Sequence, residues 1–194
     1  GAAAMAPVFA LPFYVAAITG LVWLIDSSRS GRAAFGIGWW WGFGYFLAGL
    51  YWIANALLVD PERFLWLVPF TAAGLPAVFA VFPALAALAQ YKLAPEGPRR
   101  VFAFALIWGV AEWVRGHVLT GFPWNLAGHV WAFSDAMLQS VAVAGIYGLG
   151  LFTVALAASP AALVGTPARP DRNAGAAGAW PVAVLFTAAL LVWA

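Results

Sequence analysis

Cysteine is absent from the 194 residues, which excludes disulfides, thiolate metal sites and a cysteine nucleophile within them. Charge is scarce as well. Only 8% of residues are Asp, Glu, Lys or Arg, against about 25% in ordinary soluble domains. A water-soluble chain this poor in charge could not cover its own surface. The net charge is just +2 and no basic cluster alternates with aromatic residues, so nucleic-acid binding has no footprint. No positive charge precedes Arg29, whereas a signal peptide carries a basic leading region. None of the glycine patterns follows a strand, so there is no phosphate-binding loop. Nothing resembles a Ser-His-Asp set or a paired-carboxylate site. His117 and His129 lie apart, without carboxylates or thiols in a ligand pattern. They read as histidines at wet helix ends, and neither a metal nor a cofactor is implied.

What the chain does have is apolar length. Hydrophobic residues make up 65% of it, in blocks separated by short polar islands. A transmembrane helix needs roughly 20 mainly apolar residues to cross a hydrocarbon core of about 30 Å. The expected fold is therefore all-α, a polytopic transmembrane bundle of about six to seven helices. Crossings are expected near 11–25, 33–59, 64–90, 101–119, 140–164 and 180–194. Residues 1–10 read as the tail of a first helix, broken at Pro7. Pro69, Pro76 and Pro83 should bend the third crossing, because proline removes a backbone donor. The segment 120–139 is too polar to span. The last run from Trp180 would reach only about 22 Å at 1.5 Å per residue, so both ends read as cuts through helices. Twelve Trp and fifteen Phe suit the same solvent, since aromatic rings collect at bilayer interfaces.

The polar islands give an orientation. Arg29, Arg32, Lys92, Arg99, Arg100, Arg169 and Arg172 all fall on one side of the alternation, seven of the nine basic residues. Loops rich in Lys and Arg stay cytoplasmic. The opposite side carries Arg63, offset by Asp60 and Glu62, together with Asp135. The segment 120–139 is then expected on the outer, periplasmic face.

The most costly residues are Glu112 and Arg115, in the run AEWVRGHVLTGFPW. Counted from Val101, Glu112 lies about 16 Å into its helix, near the middle of the bilayer. Each uncompensated charge there would cost about 2.5–3.5 kcal/mol on insertion scales. Spaced three apart, the two share a helix face and could pair. Such a pair marks either a functional site or a structural ion pair that fixes packing. Next, Gly121 and Pro123 should stop the helix, leaving Phe122 and Trp124 to anchor the break or to line an entry for a lipid tail. Gly38 and Gly42, among Trp39, Trp40, Trp41 and Phe43, suit a close helix seam or an acyl-chain groove. Tyr51, Trp52 and Asn55 form a further aromatic-polar cluster.

The segments WWWGFGYFLAGLYWI (39–53) and AEWVRGHVLTGFPWNLAGHVW (111–131) resemble the membrane domain of bacterial apolipoprotein N-acyltransferases. The stretch E-x-x-R-G-x-x-L-T-G-F-P-W is the more specific match, and the order of elements fits along the whole chain. The resemblance implies about eight transmembrane helices in the bacterial inner (cytoplasmic) membrane, with a periplasmic nitrilase-like domain before the last. It implies transfer of an acyl chain from a phospholipid donor to the N-terminal amine of diacylglyceryl-cysteine on an apolipoprotein acceptor, through a Glu-Lys-Cys triad in that domain. This chain does not contain the triad. By resemblance it supplies lipid and substrate binding or structural support, through Glu112, Arg115, Gly121, Pro123, Trp124 and Trp52, with no catalytic residue of its own. Arg115 would contact a head group or a loop, since a guanidinium suits phosphate. Glu112 would hold Arg115, and Trp124 would line the lipid entry. Two other classes fit the residues alone: a secondary transporter with a Glu112–Arg115 site in mid-membrane, although no inverted repeat is visible, and a non-enzymatic membrane scaffold.

Overall fold

Proline and serine set where the first helices begin. In the computed structural model, which describes residues 1–5, 7–118, 120–163 and 178–193, helix α1 spans Leu11–Asp26 with Pro12 in its first turn. A missing N–H costs nothing there. Helix α2, Gly31–Leu50, is capped by Ser30, whose hydroxyl accepts from Ala33 N at 3.2 Å. Its path continues as a 3-10 helix, Tyr51–Leu58, in which no residue is buried. The next segment is broken into short pieces: α3 (Pro61–Phe64), a 3-10 turn, a π turn (Phe70–Gly74), α4 (Leu75–Phe79) and α5 (Val81–Leu93). Helix α6, Arg100–His117, follows a 3-10 turn at Gly97–Arg99. A 3-10 turn at Ala127–Trp131 leads to α7 (Asp135–Gln139), α8 (Val141–Ala158), a further 3-10 turn (Ser159–Leu163) and α9 (Trp180–Trp193). The described residues contain no strand.

Among the described residues, three segments are long and apolar enough to cross a bilayer: Gly31–Leu58, Pro61–Leu93 and Val141–Leu163. Leu11–Asp26 and Trp180–Trp193 are shorter apolar helices. Helix α6 has 18 residues, about 27 Å at the standard rise, but carries Arg100, Glu112 and Arg115.

Several boundaries differ from the sequence reading. The described residues of 1–10 are not a helix tail: Ala2–Ala4 form one 3-10 turn, Ala10 N returns to Ala3 O at 2.9 Å, and Phe9 adopts a φ of 49°. The chain leaves any right-handed helix there at Phe9, whose φ is left-handed, after Pro7, which lacks a backbone donor. The run 33–59 is α-helical only as far as Leu50. The run 64–90 contains the π turn, directly after Pro69, where the missing proline donor shifts the hydrogen-bond register. Helix α8 is interrupted at Gly145, with φ 67°, a conformation open to glycine. Residue 119, residue 164 and the basic loop with Arg169 and Arg172 lie outside the described residues.

Close packing holds the bundle. In lipid the gain comes from van der Waals fit rather than from expelling water, and α2 meets α5 through its glycines. A Cβ on Gly38 would lie 2.6 Å from Ala87 Cβ, and one on Gly42 would lie 2.8 Å from Pro83 Cγ. Gly38 and Gly42 are thus a helix seam, not a groove. Tyr14, Ile18, Leu21 and Ile25 of α1 are fully buried, as are Phe104 of α6 and Val130.

The two ends of the bundle differ in chemistry. At one end, Arg100 Nε lies 3.0 Å from Asp26 Oδ2 and Arg100 Nη2 donates to Ala161 O at 2.7 Å. Gln90 Nε2 donates to the Arg100 carbonyl at 3.1 Å. Arg100 and Asp26 are only 4% and 3% exposed, so Arg100 is an interior tie between α1, α6 and the 3-10 turn that follows α8. It does not belong with the exposed Arg29, Arg32, Lys92 and Arg99 of the same end. The other end is aromatic and contains the loop after α6.

Candidate functional site

Helix α6 stops where Val118 turns extended, at ψ 142°. Gly121, at φ 75°, then sends the chain back, and a Cβ on it would collide with Gly116 O. Phe122 N donates to Arg115 O at 3.0 Å, so the loop folds over the end of its own helix. Pro123 cannot donate, and Trp124 and Asn125 follow with Asn125 at φ 55°.

Two buried charges hold this loop. Arg115 Nη1 donates to Phe122 O at 2.8 Å and to Trp124 O at 2.7 Å, while the guanidinium sits 5.1 Å from the centre of the Phe46 ring of α2. Glu112 Oε1 accepts from Ala127 N at 2.9 Å. Its other oxygen faces α8 at Gly150, where a Cβ would stand 3.3 Å away. Gly128 also approaches α8: a Cβ on it would be 3.3 Å from Gly150 N. Hydrogen bonds to charged groups contribute about 1.5–3 kcal/mol each, and the Arg115 guanidinium supplies two of them to the loop.

Glu112 and Arg115 share a face of α6, but their side chains form no ion pair within 4.0 Å. Each reaches a different backbone group instead. The direct pairing that the spacing allowed is not made; both side chains reach the loop backbone instead. They line a cavity of about 10 Å³ together with Tyr45, Phe46, Phe82, Pro83, Trp108, Ala111 and Asn125, about the space for one water.

The loop presents aromatics. Phe122 stacks on Phe79 with ring centres 4.2 Å apart, facing inward. Trp124 points outward, 53% exposed, and meets Trp52, 44% exposed, edge to face at 5.6 Å. The structure thus brings Glu112, Arg115, Gly121, Pro123, Trp124 and Trp52 to one end of the bundle. Tyr51 and Asn55 remain exposed beside them. His117 stacks on Trp113 at 4.5 Å. His129 Nδ1 accepts from Leu126 N at 3.3 Å, which fixes the tautomer with the proton on Nε2. Burial, and then the nearby Arg115 charge, lower the His129 imidazole below its ordinary range.

Two contributors escaped the sequence reading. Tyr45 donates its hydroxyl to Asn125 O at 3.0 Å, and a Cβ on Gly49 would collide with the Asn125 side-chain nitrogen. Their signal was present: Tyr45, Gly49 and Trp52 recur at the i, i+4, i+7 spacing of a single helix face.

The model of the apolipoprotein N-acyltransferase N-terminal domain matches residues 1–159. Among curated relatives, the apolipoprotein N-acyltransferase of Rhodopseudomonas palustris is 47% identical over 167 residues, covering 83% of this chain and 31% of the relative. That of Allorhizobium ampelinum is 45% identical over 177 residues, with 86% and 33% covered. That of Brucella melitensis is 44% identical over 154 residues, with 75% and 29% covered. The chain spans about a third of the length of these relatives. With its described residues helical and three membrane-length apolar segments among them, and matched by this domain model and these relatives, the chain belongs to the apolipoprotein N-acyltransferase family.

Proposed function

We propose that this chain is the membrane platform of an enzyme that moves an acyl chain from a phospholipid to the N-terminal amine of diacylglyceryl-cysteine on apolipoproteins. In this reading it binds lipid and positions substrate, while residues outside it carry the covalent chemistry. It sits in the bacterial inner membrane with the Arg29–Arg32 and Lys92–Arg99 loops cytoplasmic and the 120–139 segment periplasmic. The supporting observation is the loop geometry: two buried charges in an apolar helix are used to hold Phe122, Trp124 and Ala127 in place. Ionisable residues within a membrane span are expensive and go with function. Here they hold up a tryptophan pair where an acyl chain can lie.

Arg115→Ala in the complete protein tests this. It leaves two carbonyls without their donor, a loss of about 3 kcal/mol or more, so acyl transfer is expected to fall at least about tenfold at normal expression. Arg115→Lys should rescue little, because a single ammonium lacks the planar fork. Wild-type transfer by Arg115→Ala at normal expression would reject the assignment.

A further inference from the structure

Helix α2 and the 3-10 helix that continues it meet the loop through one stripe. Tyr45 bonds the Asn125 carbonyl at 3.0 Å. Gly49, one turn on, leaves the space that the Asn125 side chain fills. Trp52, nearly another turn on, sets its ring against Trp124, and its indole N–H donates to Gly49 O at 3.2 Å. Asn125 stands in the left-handed region, at φ 55°, which asparagine occupies more readily than other side-chain-bearing residues. It adjoins Trp124, so the turn at Asn125 sets where the Trp124 ring points.

The Tyr45 hydroxyl is itself held rigidly. Its ring is 6% exposed and stacks on Trp41 at 5.1 Å and 19°. Trp41 donates its indole N–H to Ala17 O of α1 at 3.3 Å and meets Trp108 of α6 edge to face at 5.3 Å. The donor that pins Asn125 is therefore fixed by three helices, and only the loop can give way.

We infer that Tyr45 and Gly49 are positioning residues. They hold Asn125 in its left-handed turn so that Trp124 faces Trp52, and the two rings together form one rim for an apolar chain. Without the Tyr45 bond the turn at Asn125 loosens and the Trp124 ring loses its fixed angle to Trp52, while Arg115 still holds the Trp124 carbonyl. The rim's use by an acyl chain rests on the function proposed above; the positioning of the loop does not.

Tyr45→Phe keeps the ring and its stack and removes only the hydroxyl. In the complete protein in lipid nanodiscs, amide exchange over residues 120–131 is expected to accelerate about five- to tenfold, with α1 and α8 unchanged. For a phosphatidylethanolamine donor, KM should rise at least about threefold while kcat stays within about twofold. Trp52→Leu, which leaves the Asn125 contact intact, should raise KM in the same way with no change in exchange. Unchanged exchange in Tyr45→Phe overturns the positioning role. Faster exchange spread through α1 and α8 overturns it too, because Tyr45 is then only a core residue. A fall in kcat at constant KM overturns the rim. If the wild-type protein transfers no acyl chain to a diacylglyceryl peptide, the proposed function fails, and the exchange result alone decides the positioning.

Discussion

Gly121 and His129 tie down the same loop by different physics. At Gly121 the constraint is steric: a left-handed backbone angle and a carbonyl that any Cβ would strike. Gly121→Ala should cost about 1–2 kcal/mol for the backbone angle alone. It should lower the thermal midpoint of the detergent-solubilised protein; an unchanged midpoint would show that the turn is not constrained. At His129 the constraint is a proton. The neutral ring accepts from Leu126 N, and burial with the Arg115 charge lowers its affinity for a second proton. The unfolded loop takes that proton near pH 6.5, and the folded one resists it. Stability is then complete above about pH 6.5 and declines as pH falls from there toward the lowered folded value. Exchange over 126–131, corrected for its intrinsic rate, should quicken between about pH 7.5 and pH 5.5. His129→Gln should lose that dependence. The sequence made Glu112 and Arg115 legible as costly residues on one face, and Gly121 with Pro123 as a stop. It could not show that both charges reach over to the backbone, because the loop's fold decides what stands within 3 Å of them.

Among the elements, α2 makes the most of its neighbours. Its glycines receive α5 on one face, and its Tyr45–Gly49–Trp52 stripe receives the loop on another. Gly38→Leu should overpack the α5 seam and cost about 1–3 kcal/mol, read as a lower thermal midpoint; unimpaired stability would mean that the seam yields. Arg100 ties α1 to α6 and to the 3-10 turn after α8. Arg100→Ala leaves Asp26 without that partner in a buried site and should cost about 3–5 kcal/mol, with reduced folded yield as the readout. The helical runs themselves were visible as apolar blocks, and the prolines gave away the bend. The 3-10 path of Tyr51–Leu58 and the π turn at Phe70–Gly74 were not visible, because hydropathy is the same for any helical pitch. The interior place of Arg100 was hidden for a different reason: in sequence it is simply the last of three basic residues beside a proline loop.

For the whole molecule, the two ends have separate duties. One gathers Asp26, Gln90, Arg100 and the Ala161 carbonyl into a polar tie beneath exposed basic loops. The other holds the loop after α6 against α2 and turns Trp52 and Trp124 outward. Under the function proposed above, the aromatic end opens on the face where the acyl acceptor would arrive. Single cysteines test it most directly, each in a complete protein whose other cysteines are replaced by serine. Glu62→Cys and Ala136→Cys should react with a membrane-impermeant maleimide on intact spheroplasts, whereas Arg29→Cys and Glu96→Cys should react only after permeabilisation. Labelling of Arg29→Cys or Glu96→Cys from outside, with Ala136→Cys protected, would contradict the placement of the Trp52–Trp124 rim on the periplasmic face.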